Sequence, residues 1–154
     1  MLAHSSYSKI DYLTIGHFSK DLLSDGGYLL GGTAAYTAQT AHALGLRVGI
    51  LTSFPADELD SLNLPSEIQI VNIPTDVATT FDNIETPSGR KQRIHAQATQ
   101  IDFDQIPVEW QKTPIIHLGP VAQEMPSQLP TWIAPSLLGL TPQGWMRSWK
   151  TDGN

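Results

Sequence analysis

Short apolar runs, separated by connections rich in glycine and proline, form the main pattern along this chain. Runs of this kind are typical of strands buried on both faces of a parallel sheet. Residues 33–44 differ, because small alanines recur at helical spacing and Gly45 follows as a left-handed terminator. Residues 56–62 and 107–110 predict short helices. The predicted strands are 10–16, 48–51, 68–73, 114–119 and 137–140. Strands that alternate with helices at this spacing predict an α/β fold.

A second pattern lies in the middle of the chain. Residues 79–84 and 90–98 flank Thr86-Pro87-Ser88-Gly89, which is a strong turn signal. We expect residues 79–98 to form an antiparallel hairpin that projects from the main sheet. Neither a repeat nor an interdomain linker is visible in the sequence, so residues 1–154 are predicted to form one domain.

Composition excludes several classes of function. The 154 residues are 40% hydrophobic and 16% charged, as in ordinary globular proteins. The net charge of −6 argues against nonspecific binding to nucleic acid or to an anionic membrane surface. The sequence has no cysteine, which excludes disulfides and thiolate metal sites and favours the cytoplasm. None of its apolar runs approaches the length of a membrane span.

The first candidate site lies around a glycine pair. Gly31 and Gly32 open the predicted helix, and Asp21 follows the end of the first strand. Glycines at a helix start let a ligand approach the backbone, and a carboxylate can accept hydrogen bonds from two hydroxyls of a polyol. Close packing of the helix on a strand also demands glycine, and Asp21 could be an ordinary surface residue. The arrangement favours a polar-ligand pocket at the carboxyl edge of a parallel sheet.

The order of these motifs resembles the N-terminal half of the PfkB, or ribokinase-like, carbohydrate kinase family. The matching residues are Tyr12-Leu-Thr-Ile-Gly16, Asp21, Gly31-Gly32, Ala38, Leu44-Gly45 and residues 48–52. The resemblance implies a three-layer α/β/α fold with a mostly parallel sheet, in which the hairpin is a lid over the sugar. It also implies transfer of a phosphoryl group from ATP, with Mg²⁺, to a sugar, nucleoside or inositol hydroxyl.

The resemblance also suggests which residues bind the substrate. Asp21 occupies the position of the substrate-binding aspartate, and Gly31, Gly32 and Thr33 would bring backbone and hydroxyl donors to the ligand. Tyr36 stands where many ribokinase-like proteins have asparagine. A bulky residue there is closer to the inositol-kinase-like branch than to ribokinase.

Further candidates lie later in the chain. Arg90, Lys91 and Arg93 form a basic cluster on the hairpin that could attract a phosphorylated or anionic ligand, with Arg93 as the expected contact, although a solvated lid face is the alternative. Gln143 and Arg147 fall in a segment that loosely resembles the family's Asp-Pro-Asn-x-Arg region, where packing of aromatic residues is the alternative. Glu124 is expected on a surface loop. The histidines lack metal-ligand spacing, so no metal site is predicted.

The family's catalytic Gly-Ala-Gly-Asp motif is missing from the sequence. The residues that bind ATP and Mg²⁺ also belong to the family's second half, so we predict no catalytic residue here. The expected function is therefore the substrate-binding half of a kinase, inactive by itself. The alternatives are a non-catalytic polyol or nucleoside binder, a half-protein that needs a partner, and a relic without function. A sheet cut in the middle has an unpaired edge, so we expect self-association or a second chain covering it.

Overall fold

The computed structural model describes residues 7–151 and Gly153. Along these residues the regular elements follow the order β1 (Tyr12–Ile15), β2 (Ser19–Leu22), β3 (Tyr28–Gly31), α1 (Thr33–Ala43), β4 (Val48–Ser53), β5 (Gln69–Ile73), β6 (Thr79–Thr86), β7 (Gly89–Ala96), β8 (Ile115–Leu118), β9 (Leu137–Leu140) and α2 (Gln143–Met146). Short 3₁₀ helices occupy Ala56–Leu62, Phe103–Gln105 and Val108–Trp110. Within the described residues, no helix has both the length and the apolar character to cross a membrane.

The core sheet has five strands in the order β5-β4-β1-β8-β9, and every neighbouring pair is parallel. All of its strands were predicted from the sequence to within about two residues at each end. Strand β4 is buried along its whole length, as its apolar run indicates. The predicted parallel α/β fold is confirmed.

The two faces of the core sheet are covered differently. The buried alanines of α1, such as Ala34 and Ala38, pack with Val48 and Ile50 on one face. The other face is covered by the 3₁₀ segments, whose Phe103 and Trp110 are almost completely buried. Small side chains bring α1 close to the strands, whereas large aromatic side chains fill the wider space on the opposite face.

A second, four-stranded sheet stands beside the core sheet. Its strand order is β3-β2-β6-β7, and we call it the lid sheet. The predicted hairpin forms two of its strands, β6 and β7, which pair antiparallel. The sequence does not predict β2, so Asp21 was expected in the connection after the first strand. In the structure, Asp21 is a strand residue of the lid sheet, and the hairpin is its outer half rather than an isolated projection.

The last strand of the core sheet, β9, lies at an edge of the sheet as described. Two of its apolar side chains, Leu137 and Leu140, are 59% and 50% exposed. An inner strand of a parallel sheet normally has such side chains covered on both faces. Strand β9 therefore has the apolar composition of an inner strand, but its side chains are not buried as those of an inner strand would be.

Candidate functional site

A cavity of about 220 Å³ lies between the lid sheet, the start of α1 and the segment that follows β9. The residues that line it come from distant parts of the chain: Ser19, Asp21, Gly32, Thr33, Tyr36, Phe81, Arg90, Gln92, Val121, Gln143 and Arg147. Most of the predicted site residues are therefore brought to one place.

Asp21 faces this cavity from the lid sheet. Its Oδ1 accepts a hydrogen bond of 3.3 Å from the Asn83 side-chain amide. Its Oδ2 lies close to Gly31, where a Cβ atom would come within 2.8 Å of that oxygen and 2.7 Å of Ser19 Oγ. Gly31 thus leaves room for the carboxylate, and Asp21 keeps lone pairs for further donors.

The start of α1 is packed tightly against the end of β1. Gly32 has φ of +92°, and a Cβ atom there would lie 2.3 Å from the carbonyl oxygen of His17. Thr33 in turn contacts Gly119, where a Cβ atom would lie 2.7 Å from the threonine side chain. Helix–strand packing therefore requires glycine at residue 32, and the same contact places Gly32 and Thr33 on the cavity wall.

Tyr36 lies at the rim of the cavity and is 62% exposed. Its hydroxyl donates a hydrogen bond of 3.0 Å to the carbonyl oxygen of Leu30. Because the only proton of the hydroxyl is used inside the protein, Tyr36 offers a ligand its ring and an acceptor oxygen.

The segment after β9 supplies Gln143 and Arg147. Gly144 packs against the backbone of Pro120 and Val121, with its N–H 2.7 Å from the Pro120 carbonyl oxygen. Arg147 donates from Nη1 to the Val121 carbonyl oxygen at 2.6 Å, and its guanidinium lies 4.6 Å from the centre of the Phe81 ring. Burial lowers the pKa of Arg147, although the charges of Asp21 and Glu124 oppose that shift.

Arg90, rather than Arg93, is the hairpin arginine that lines the cavity. Asn83 pairs with Gln92 in the neighbouring strand, and both side chains lie on the face of the lid sheet that carries Asp21. Alternate residues of a strand point to the same face, so Arg90 lies on that face too. Arg93 lines a separate groove of about 650 Å³ beside residues 149–151 and Gly153. The basic cluster predicted from the sequence therefore contains the lining arginine, but it is Arg90 and not Arg93.

Glu124 is completely buried, so its expected position on a surface loop was wrong. Its carboxylate accepts hydrogen bonds from the backbone N–H groups of His17 at 3.0 Å, Val121 at 2.9 Å and Ala122 at 2.7 Å. The His17 ring is also buried, between Thr79 Oγ1 at 2.7 Å and the Thr99 carbonyl oxygen at 2.8 Å. Burial lowers the pKa of His17, against the effect of the Glu124 charge. One carboxylate thus joins the beginning of the lid sheet to the loop that contacts Arg147.

No group of three or more potential metal-ligating side chains occurs within residues 7–151 or at Gly153. His117 is an ordinary hydrogen-bonded histidine, with Nδ1 2.8 Å from the Tyr12 hydroxyl and Nε2 2.9 Å from Thr141 Oγ1.

Solved structures resemble this chain over 92% of its length. A pyrophosphate-dependent kinase in the ribokinase family, complexed with a pyrophosphate analog and myo-inositol, has a TM-score of 0.73 and 20% identity. A sulfate complex of a pyrophosphate-dependent kinase in the same family has a TM-score of 0.72 and 20% identity. A pyrophosphate-dependent myo-inositol-1 kinase converted into a myo-inositol-3 kinase has a TM-score of 0.72 and 19% identity.

Neither a protein-family model nor a curated protein matches this sequence. The chain spans about half the length of its structural neighbours, with coverage of 52%, 53% and 51% of their chains. The resemblance found in the sequence is therefore confirmed at the level of the fold: this chain has the ribokinase-like α/β fold, over about half the length of the kinases that share it.

Proposed function

We propose that this chain is the substrate-binding half of a ribokinase-like kinase and that its cavity holds the phosphoryl acceptor. The observation that carries the proposal is the convergence of Asp21, Thr33 and Gln143 on one cavity from three separate elements. A small cavity lined by several polar groups, with Phe81 and Val121 beside them, is suited to a polyol.

Each side chain has a role that follows from its geometry. Asp21 would accept hydrogen bonds from adjacent hydroxyls, because Asn83 occupies only part of one of its oxygens. Thr33 and Gln143 would add a hydroxyl and an amide to the opposite wall. The Tyr36 ring and Phe81 would pack against the C–H faces of the ligand.

The phosphoryl donor would be ATP with Mg²⁺, as the sequence resemblance implies, or pyrophosphate, which the structural neighbours use. The groups that bind the phosphoryl donor, and the catalytic base, would be supplied by residues other than those assigned here to acceptor binding. We therefore infer that the 154 residues bind an acceptor without transferring phosphate to it. The absence of cysteine keeps the cytoplasm as our proposed location.

Ligand-dependent stability tests this proposal. A ligand that binds only the folded chain raises the free energy of unfolding by about 2.7 kcal/mol at a hundred times its Kd. We expect myo-inositol or another neutral polyol to raise the Tm, and Asp21→Asn to remove most of the increase. Asp60→Asn is the matched control, because Asp60 is exposed and outside the cavity.

Two results would contradict the proposal. If a panel of polyols and nucleosides leaves the Tm unchanged, the cavity does not bind an acceptor. If the purified chain phosphorylates a polyol with ATP or pyrophosphate, our inference that it lacks catalysis is wrong.

A half-protein that works only with a partner is the second candidate. The exposed Leu137 and Leu140 on the edge strand β9 favour it, because a further strand and helix would bury both side chains. Co-purification of a tagged chain with a second polypeptide that restores kinase activity would support this candidate.

A further inference from the structure

The His17 ring joins both ends of the hairpin formed by β6 and β7 to the turn between β1 and β2. Its Nδ1 lies 2.7 Å from the hydroxyl oxygen of Thr79, the first residue of β6. Its Nε2 lies 2.8 Å from the carbonyl oxygen of Thr99, shortly after the end of β7. The Thr79 hydroxyl also accepts a hydrogen bond of 3.0 Å from the N–H of Ala98. We call these four residues the lid clamp, because they connect the beginning and the end of the hairpin.

The partners of the ring determine where its proton lies. A carbonyl oxygen only accepts, so Nε2 must carry a proton that it donates to Thr99. The Thr79 oxygen already accepts from Ala98, so its own proton is directed at Nδ1. The lid clamp is therefore fully hydrogen-bonded when His17 is neutral and Nε2 carries the proton.

A second proton on the ring would disrupt this arrangement. The proton on Nδ1 would face the proton of the Thr79 hydroxyl, and one of the two donors would lose its partner. His17 and Thr79 are both 0% exposed, so water does not reach the displaced donor while the lid clamp is closed. Protonation of His17 therefore costs the closed lid clamp a buried hydrogen bond.

The charges around the ring do not remove this cost. Glu124 is the charged group that acts on His17, and its negative charge favours the second proton. Burial of the ring is the larger effect, so the pKa of His17 is lowered. The other titratable side chains on the surrounding elements exert no such effect on the ring: Lys20, Asp21, Asp76, Asp82 and His95.

The lid clamp also positions one wall of the proposed acceptor cavity. Asp21 follows His17 into β2, and Phe81 follows Thr79 along β6. These two residues pair across the neighbouring strands, and both line the cavity. Thr33 lines the cavity from the start of α1, which belongs to the core. Opening of the lid clamp would therefore separate the two walls.

We propose that His17 is a positioning residue whose neutral ring holds the lid sheet over the acceptor cavity, and that its protonation releases the lid and weakens acceptor binding. This inference rests on the proposed function and adds its regulation by pH. A ring exposed to water takes up a proton at the ordinary histidine pKa of about 6.5, whereas the closed lid clamp excludes that proton. Opening is therefore favoured by about tenfold when the pH falls from 7.5 to 5.5. By linkage, bound acceptor should in turn exclude the proton from His17.

Two measurements on the full chain at pH 7.5, 6.5 and 5.5 test this inference. Hydrogen exchange of the Ala98 amide, corrected for the intrinsic pH dependence of exchange, reports opening of the lid clamp. Titration calorimetry with myo-inositol gives the Kd. We expect opening to increase by about tenfold over this range and the Kd to rise by at least about threefold. Ordinary carboxyl groups stay ionised throughout, because their pKa values lie near about 4.

Two variants assign the pH dependence to one histidine. His17→Gln removes the titrating ring, so both pH dependences should disappear. His95→Gln is the matched control, with the same substitution at an exposed histidine of the same hairpin, and both dependences should persist. If His17→Gln does not fold, NMR titration of the His17 ring in the parent chain tests the same linkage, because bound myo-inositol should lower the pKa of His17.

The other outcomes separate this inference from the proposed function. If myo-inositol binds with the same Kd at every pH, or if the pH dependence persists in His17→Gln, the assigned role of His17 is refuted and the proposed function stands. If the Kd changes with pH while exchange of the Ala98 amide does not, binding depends on another titrating group and the lid clamp is refuted. If exchange shows the expected opening but no polyol binds at any pH, the proposed function fails, and its regulation fails with it.

Discussion

Replacing the buried carboxylate of Glu124 by an amide tests how the cavity is held together. Glu124→Gln keeps the size and shape of the side chain. It replaces one acceptor oxygen by an NH₂ group in a position that is 0% exposed. The variant therefore isolates the effect of the second oxygen from any effect of volume.

The cost follows from the hydrogen bonds at each oxygen. Oε1 accepts from the N–H of His17 at 3.0 Å and of Val121 at 2.9 Å, and a glutamine oxygen could keep both bonds. Oε2 accepts from Ala122 at 2.7 Å and shares the Val121 N–H at 3.0 Å, so the new NH₂ would face two backbone donors. Loss of one charge-assisted bond costs about 1.5–3 kcal/mol, and the unsatisfied buried donor adds about 1–3 kcal/mol. We expect Glu124→Gln to lower the free energy of unfolding by about 2.5–6 kcal/mol.

Urea denaturation, followed by tryptophan fluorescence, measures this change. The midpoint should fall while the slope m stays constant, because the unfolded surface is unchanged. Glu109→Gln is the matched control, since Glu109 is exposed, and its midpoint should remain close to that of the parent chain. A loss below about 1 kcal/mol in Glu124→Gln would refute the assigned role of the carboxylate, because that is the size of an ordinary neutral hydrogen bond.

Three further predictions concern other parts of the molecule. Gly32→Ala should destabilise the chain by about 1–3 kcal/mol more than Gly26→Ala in the same urea assay. Both glycines have positive φ, but only at residue 32 would the added Cβ atom also clash with the backbone. Equal losses would contradict the packing argument. Because burial lowers the pKa of His17, the unfolded chain binds a proton that the folded chain does not, so stability should fall as the pH drops below about 6.5. His17→Gln should flatten this dependence, and an unchanged slope would count against it. If the chain self-associates, Leu138→Lys on the edge strand should weaken the association and so lower the average sedimentation coefficient of the sample. A parent chain that is monomeric at high concentration would show that the edge does not drive association.

The core sheet was predictable because the residues of its strands are themselves apolar, which indicates that the strands are buried. Val48 and Ile50 are apolar wherever the chain places them, and the alanines of α1 fit only a close helix–sheet contact. The glycine pair was predictable for the same reason, since few residues tolerate the backbone of Gly32. The core sheet could therefore be inferred from local patterns alone.

The lid sheet was harder to predict because its stability depends on distant pairing. Strand β2 has the sequence Ser-Lys-Asp-Leu, which lacks the composition of a strand. It becomes one because β6 pairs with it in parallel and β3 returns beside it. Glu124 misled the prediction in the same way, since its partners include a backbone N–H more than a hundred residues earlier. A buried charge that is satisfied by distant backbone leaves no local signal.

The short connection between β1 and β2 has a consequence for motion. The junction is fixed through its backbone by Glu124 and through the His17 ring by Thr79 and the Thr99 carbonyl oxygen. A segment held by buried hydrogen bonds on several sides opens only in rare, large fluctuations. The lid sheet therefore cannot swing as a rigid plate about this point. Fast opening must be confined to the exposed tip of the hairpin, around residues 84–90, where amide hydrogens should exchange long before that of His17.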